Sequence, residues 1–147
     1  MILYVVELYL KFNIDDQLLE EVISAAREAM LRSYAPYSGF NMGAAVVTEK
    51  NIILPGALVE NVSLGLAMCA ERIALFSTVS QQAGRPRVLV LVSRRTDGNI
   101  TFPCGACLQV AMELAGPDLE VVACDTQGSR EHEILSNLCS RLPHKTS

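Results

Sequence analysis

Val88-Leu89-Val90-Leu91-Val92-Ser93 is an unbroken apolar run rich in β-branched residues. A strand covered by other elements on both faces reads this way. Leu119 to Cys124 repeats the pattern further on, and between them Gly105 to Ala115 reads as a helix stopped by Gly116-Pro117. Working outward, a second helix is expected from about Ala67 to Ala83, with Ile73, Ala74, Phe76, Ser77 and Val79 to Ser80 giving it small and apolar faces. Before it, Gly43 to Thr48 and Ile52 to Val59 flank Glu49-Lys50-Asn51 and predict a hairpin. Asn13 to Arg32 predicts an opening helix, capped by Asp15 or Asp16. Leu18, Leu19, Val22, Ile23, Ala26 and Met30 recur along it at helical spacing. Ala35-Pro36-Tyr37-Ser38-Gly39 breaks it, because a residue before proline avoids the helical region. Glu131 to Leu142 reads as a short strand or a final helix. Strands alternating with helices predict an α/β domain with a mostly parallel sheet, the hairpin adding one antiparallel edge.

The chain has 147 residues, the size of one domain, residues 1–147, with enough length for a single core. Half of its residues are hydrophobic, which excludes a disordered chain. Its formal charge is −4, and Lys and Arg form no run longer than Arg94-Arg95. That balance argues against a nucleic-acid partner and for a small substrate that is not strongly anionic. Met1 to Phe12 forms an apolar extension. It lacks a positive leader region, carries Glu7 in its middle, precedes no small-residue cleavage site and is shorter than the ~20 residues that span a bilayer. It is expected to add a strand or helical turn on the domain or on a partner subunit, and no membrane partner is expected.

Five cysteines, with one Cys-x-x-Cys pair among them, do not make a secreted disulfide framework. They fit a reducing cytoplasm, where thiols stay free to bind metal. Cys69-Ala70-Glu71-Arg72 and Pro103-Cys104-Gly105-Ala106-Cys107 supply three candidate thiolate ligands, Cys69, Cys104 and Cys107, and a carboxylate, Glu71, two residues from a ligand. A structural zinc site wants four protein ligands, whereas a catalytic one wants three, an open position and a base nearby. Cys69 and Cys104 fall at predicted helix starts, whose partial positive charge favours a thiolate. Cys107 lies on the same face one turn on. Three thiolates around Zn²⁺ leave a net charge of −1, which Arg72 can offset by donating to ligand sulfur. Two rivals stand beside this reading. The Cys-x-x-Cys pair can act as a redox couple, and Cys124 can close a four-cysteine structural site.

With these residues in view, the chain resembles the cytidine deaminases, in particular the small free-nucleoside type with three cysteine ligands. The likeness runs from about residue 15 to Pro143 and rests on five stretches. These are Tyr34-Ala35-Pro36-Tyr37-Ser38-Gly39-Phe40, Gly43-Ala44-Ala45, Val59-Glu60-Asn61, Cys69-Ala70-Glu71-Arg72 and Pro103-Cys104-Gly105-Ala106-Cys107-Leu108-Gln109. The resemblance implies a three-layer α/β/α fold with a five-stranded mixed sheet, one zinc ion per chain, and a homotetramer with sites near subunit contacts. It implies Phe40 as the ring that packs on the pyrimidine, Glu60 as acceptor for a ribose hydroxyl, and the Ala70 backbone as a partner for the base. It implies hydrolytic deamination, in which Glu71 moves protons from water to the ring nitrogen and to the leaving amine, giving the keto ring and ammonia. Relatives usually carry Asn at the position of Leu58, Tyr at that of Leu64, Arg at that of Leu108, and an aromatic residue after the terminal Leu-Pro, here His144. Those departures gather around the ribose end and the subunit contacts. They leave open deamination of a non-ribosyl cytosine-like or other amino-heterocycle, and a deaminase-fold protein that binds its ligand without turnover.

Overall fold

A computed structural model describes residues 13–144. The expected element over Met1 to Phe12 lies outside the described residues. Helix α1 spans Asp16–Met30, and its first free N–H groups are met by Asp15, whose side chain accepts from the Leu18 N–H at 3.0 Å. The hairpin follows as β1, Met42–Thr48, and β2, Ile53–Ala57. Asn51 makes its turn at a φ of 59°, a region that Asn tolerates better than most residues. A 3-10 turn at Leu64–Leu66 leads to α2, Ala70–Ser80. Then come β3, Pro86–Ser93, and α3, Gly105–Ala115, which ends at Gly116 with a φ of 85°. The chain closes with β4, Glu120–Cys124, β5, Arg130–Ile134, and the short helix α4, Leu135–Leu138. The stretch from Glu131 to Leu142 is thus a strand and a helix in succession.

The five strands form one mixed sheet in the order β2-β1-β3-β4-β5. Only β3 and β4 pair in parallel, while β1–β2, β1–β3 and β4–β5 are antiparallel. The mostly parallel sheet expected from the alternation is therefore corrected. The crossovers behave as expected in direction, since β2, β3 and β4 run the same way. What changes the count is β1, which sits between β2 and β3 and runs against both.

Each central strand divides its residues between two cores by alternation. Ala45 and Val47 of β1, Val88, Val90 and Val92 of β3, and Val122 and Cys124 of β4 face α1 and pack on Leu19, Val22, Ile23 and Ala26. Met42, Ala44, Val46, Leu89, Leu91, Val121 and Ala123 face the other way, onto Ala70, Ala74 and Leu75 of α2 and Leu108, Ala111 and Met112 of α3. The result is three layers: one helix, the sheet, two helices. Each fully buried Val or Leu here contributes roughly 1.5–3 kcal/mol. Two glycines let the outer layers approach. A Cβ on Gly43 would run into the backbone of Ala26 and Met30 in α1. A Cβ on Gly56 would run into the Ala70 carbonyl and lie 2.6 Å from the Ala74 nitrogen. Gly56 thus seats the start of α2 directly on β2.

Candidate active site

The helix starts converge at one end of the sheet. Gly56, which seats α2, and its neighbour Ala57 pair with Ala44 and Gly43 at the beginning of β1. Met42 pairs with Ser93 at the end of β3, and the chain leaves that end to enter α3. Cys69 is the N-cap of α2 and Cys104 the N-cap of α3, and neither uses its side chain to cap the helix. Both sulfurs therefore stand at helix N-termini, where N–H groups and the helix dipole favour negative charge. Cys107, in the first turn of α3, is fully buried. The three sulfurs lie within 4.8 Å of one another, with Cys69 to Cys104 at 4.0 Å and Cys104 to Cys107 at 3.5 Å. A tetrahedral zinc with bonds of ~2.3 Å spaces its sulfurs about 3.8 Å apart, so the cluster fits that ion.

The electrostatics make the same demand. The Cys69 thiol is pulled down to about 5, first by its hydrogen bond with Cys107 and then by Arg72, against the opposing effect of burial. Cys107 is driven upward by that same hydrogen bond and by burial. Three sulfurs this close cannot all be charged unless a cation sits among them, which a divalent ion would satisfy. Arg72 donates from Nη2 to the Cys69 sulfur at 3.7 Å. Glu71 is 1% exposed, and its Oε2 has no hydrogen-bond partner among the described residues. Burial pushes its carboxyl up to about 7, helped by the nearby Cys69 and opposed by its own backbone N–H and by Arg72. A buried carboxyl poised near neutrality beside a three-sulfur cluster can both accept and donate a proton.

Glu60, after β2, is tied to the loop before β1. Its carboxylate accepts from the Tyr37 N–H at 2.8 Å, from the Ser38 N–H at 3.3 Å and from the Ser38 hydroxyl. The Ser38 hydroxyl is the largest cause that holds Glu60 below the usual carboxylate range. The same hydroxyl accepts from the Phe40 N–H at 3.0 Å, so Ser38 links the two predicted contact residues, Phe40 before β1 and Glu60 after β2. The Phe40 ring packs against the core on the α2–α3 side. The Ala70 side chain is fully buried in that core, and its backbone opens α2. A cavity of about 290 Å³ beside Glu60 is lined by Tyr37, Ser38, Asn61, Leu64 and Ala67. Leu64 is 81% exposed there, whereas Leu58 packs against the core. A second cavity, of about 320 Å³, lies at the opposite end of β3 and β4 among Arg85, Arg87 and Glu120. Its arginines are engaged: Arg85 donates to the Ala115 carbonyl, and Arg87 to the carbonyls of Thr48 and Asn13 and to the Asn51 side chain.

Three contributors escaped the sequence reading. Gly56 could have been noticed as a glycine inside a strand, a common mark of close backbone approach. Ser38 stood in a landmark stretch but was given no role of its own. Arg94, whose guanidinium lies 5.2 Å from the Phe40 ring centroid, gave no local signal. Cys124, the rival fourth ligand, is 2% exposed and faces α1 across the sheet from the three sulfurs. Burial pushes its thiol up to about 11. It is a small core residue and lies outside the cluster.

Comparison with known proteins agrees with this geometry. The family model of the cytidine and deoxycytidylate deaminase zinc-binding region matches residues 16–123. A cytidine deaminase of Halalkalibacterium halodurans is 38% identical over 84% of this chain and 90% of its own. A probable cytidine deaminase of Dictyostelium discoideum is 39% identical over 84% of each chain. The crystal structure of cytidine deaminase from Burkholderia pseudomallei superposes with a TM-score of 0.79 at 40% identity, covering 84% of this chain and 98% of that one. That from Mycobacterium tuberculosis does so with a TM-score of 0.71 at 30% identity, covering 88% and 98%. On this sequence match, this fold and these converging sulfurs, the chain belongs to the cytidine and deoxycytidylate deaminase family and is a zinc deaminase, a hydrolase acting on C–N bonds.

Proposed function

We propose that the whole chain acts as one deaminase unit that converts cytidine or deoxycytidine to the keto nucleoside and ammonia. The observation that carries this is the buried Glu71 carboxyl, with one oxygen unpartnered, next to three sulfurs at zinc-binding separation. Cys69, Cys104 and Cys107 hold one zinc ion per chain, and Arg72 offsets their excess charge through the Cys69 sulfur. When bound, zinc supplies the Lewis acidity that makes water a nucleophile near neutral pH. Glu71 takes a proton from the attacking water and passes it to the ring nitrogen beside the amidine carbon. It then takes the second proton, from the hydroxyl now on the amidine carbon, and delivers it to the amino group, so that the C–N bond breaks, ammonia leaves and the carbonyl forms. One carboxyl serves as base and acid because the transfers are sequential.

The Phe40 ring packs on the pyrimidine, and the Ala70 backbone pairs with the base. Glu60, kept ionised by Ser38, retains acceptor capacity for a ribose hydroxyl. Assembly as a homotetramer is supported by apolar side chains left exposed in two places. Val62, Leu64 and Leu66 stand out before α2, and Phe76 and Val79 stand out on it. No helix among the described residues is long and apolar enough to cross a membrane. A cytoplasmic location is the reading that keeps three ligand thiols reduced.

An ammonia-release screen over cytidine, deoxycytidine and cytosine, run beside metal analysis, tests this function. Zinc-loaded protein that releases ammonia from none of them refutes it. A second reading, deamination of a ring without ribose, is favoured by Leu64, which gives the cavity beside Glu60 an apolar wall with no hydrogen-bonding group. Cytosine turned over more efficiently than cytidine supports that reading. A cytidine kcat/KM of ~10⁵ M⁻¹s⁻¹ or above, ordinary for an enzyme, removes it.

A further inference from the structure

Arg94 and Arg95 leave β3 side by side and meet different fates. Arg95 is fixed as a structural residue, its Nε on the Asp125 carboxylate at 2.8 Å and its Nη1 on the Gly98 carbonyl at 2.9 Å. The Arg94 guanidinium has no hydrogen bond or ion pair to any described residue. It lies over the Phe40 ring, 5.2 Å from the centroid. A guanidinium over an aromatic face is attracted by the ring quadrupole.

Both partners start from fixed backbone. The Arg94 carbonyl accepts from the Ser93 hydroxyl and the Thr101 hydroxyl, each at 3.1 Å. The Phe40 N–H is tied to Ser38, and Ser38 to Glu60. The ring is therefore packed on the core on one side and covered by a cation on another. We propose that Arg94 is a positioning residue, whose guanidinium holds the Phe40 ring in the orientation that receives the pyrimidine. The inference rests on the base-packing role given to Phe40 above.

A ring held in place binds ground state and transition state alike, so its loosening shows in KM and leaves kcat. A partly exposed cation over a ring is worth about 2–5-fold in binding. The test is a double-mutant cycle on zinc-loaded enzyme with cytidine as substrate. Arg94→Met keeps length and apolar contact but removes charge, and is expected to raise KM about 2–5-fold with kcat and zinc content unchanged. Arg94→Lys keeps a cation and is expected to recover part of the loss. In a Phe40→Leu background, Arg94→Met is expected to do nothing more. An equal loss in both backgrounds means that Arg94 acts elsewhere and overturns the proposal. So does an unchanged KM in Arg94→Met where Phe40→Leu raises it. An unchanged KM in Phe40→Leu removes the ring's role and this proposal with it. NMR of ring-labelled phenylalanine, of which the chain has four, decides the contact independently of turnover. Arg94→Met should shift the Phe40 ring resonance, and an unmoved resonance overturns the proposal even in a protein inactive on cytidine.

Discussion

Gly56→Ala places a methyl group against the first turn of α2. The new Cβ overlaps the Ala70 carbonyl and lies 2.6 Å from the Ala74 nitrogen and 3.2 Å from its Cα. All three atoms are backbone, so no rotamer change relieves the contact, and the helix must move as a body. Restoring ordinary contact at ~3.4 Å takes about 0.8 Å at the Ala74 nitrogen, and the nearer Ala70 carbonyl takes more, about 1 Å. Overpacking of this kind destabilises by about 1–3 kcal/mol. That outweighs the 0.4–1 kcal/mol that Ala gains over Gly through the unfolded chain. The shift also moves Cys69 and Glu71 relative to Cys104 and Cys107, which ride on α3. Zinc sites tolerate about 0.2 Å in bond length, and misplacement near 1 Å costs on the order of 10²-fold in rate. Denaturant unfolding, zinc retention and turnover should therefore all suffer together. Two controls separate the causes. Gly65→Ala meets nothing within 4 Å and should behave as the parent protein. Gly43→Ala collides with α1 on the other face and should lose stability while keeping its zinc. A Gly56→Ala protein within ~0.5 kcal/mol of the parent, with undiminished turnover, would refute the idea that this contact sets the site.

Arg72→Ala should weaken zinc retention about 10–100-fold, as for other groups that hold a metal ligand in place, read by competition with a chelator. Cys124→Ala should keep its zinc and lose only the modest stability of a small core cavity, whereas zinc loss would reinstate Cys124 as a ligand. Asp125 gives a pH test. Burial opposes its charge, but Arg95 and the N–H groups of Gln127 and Ser129 outweigh that and hold it below the usual range. Its contribution is therefore complete above the unfolded value of about 3.9 and is lost as pH falls through the lower folded value. Asp125→Asn should be less stable than the parent at neutral pH, and the gap in melting temperature should narrow in acid. A gap independent of pH would contradict the assignment.

The sequence disclosed strands and helices more fully than their pairing. Val88–Val92 and Val121–Ala123 announced buried strands because each alternates between two apolar layers, leaving no polar face. The crossover rule gave the parallel β3–β4 pair and the common direction of β2. Nothing local to Met42–Thr48 says that it lies between β2 and β3, since that choice depends on contacts distant in the chain. The site shows the same division. Cys69, Cys104, Cys107, Glu71 and Arg72 were legible because they sit in two short motifs that resemble those of zinc deaminases. Gly56 under Ala70, Ser38 between Glu60 and Phe40, and Arg94 over Phe40 each join segments that meet only after folding.

Glu71→Gln tests the proton-transfer mechanism most directly. The amide fits the same buried space and leaves the three sulfurs untouched, but it cannot carry the proton. Ammonia release from cytidine should be measured on parent and variant loaded with equal zinc. The expected result is a variant that folds and holds one zinc per chain while turnover falls by ~10²–10⁴-fold. A variant that deaminates as fast as the parent contradicts the mechanism and places the proton shuttle elsewhere.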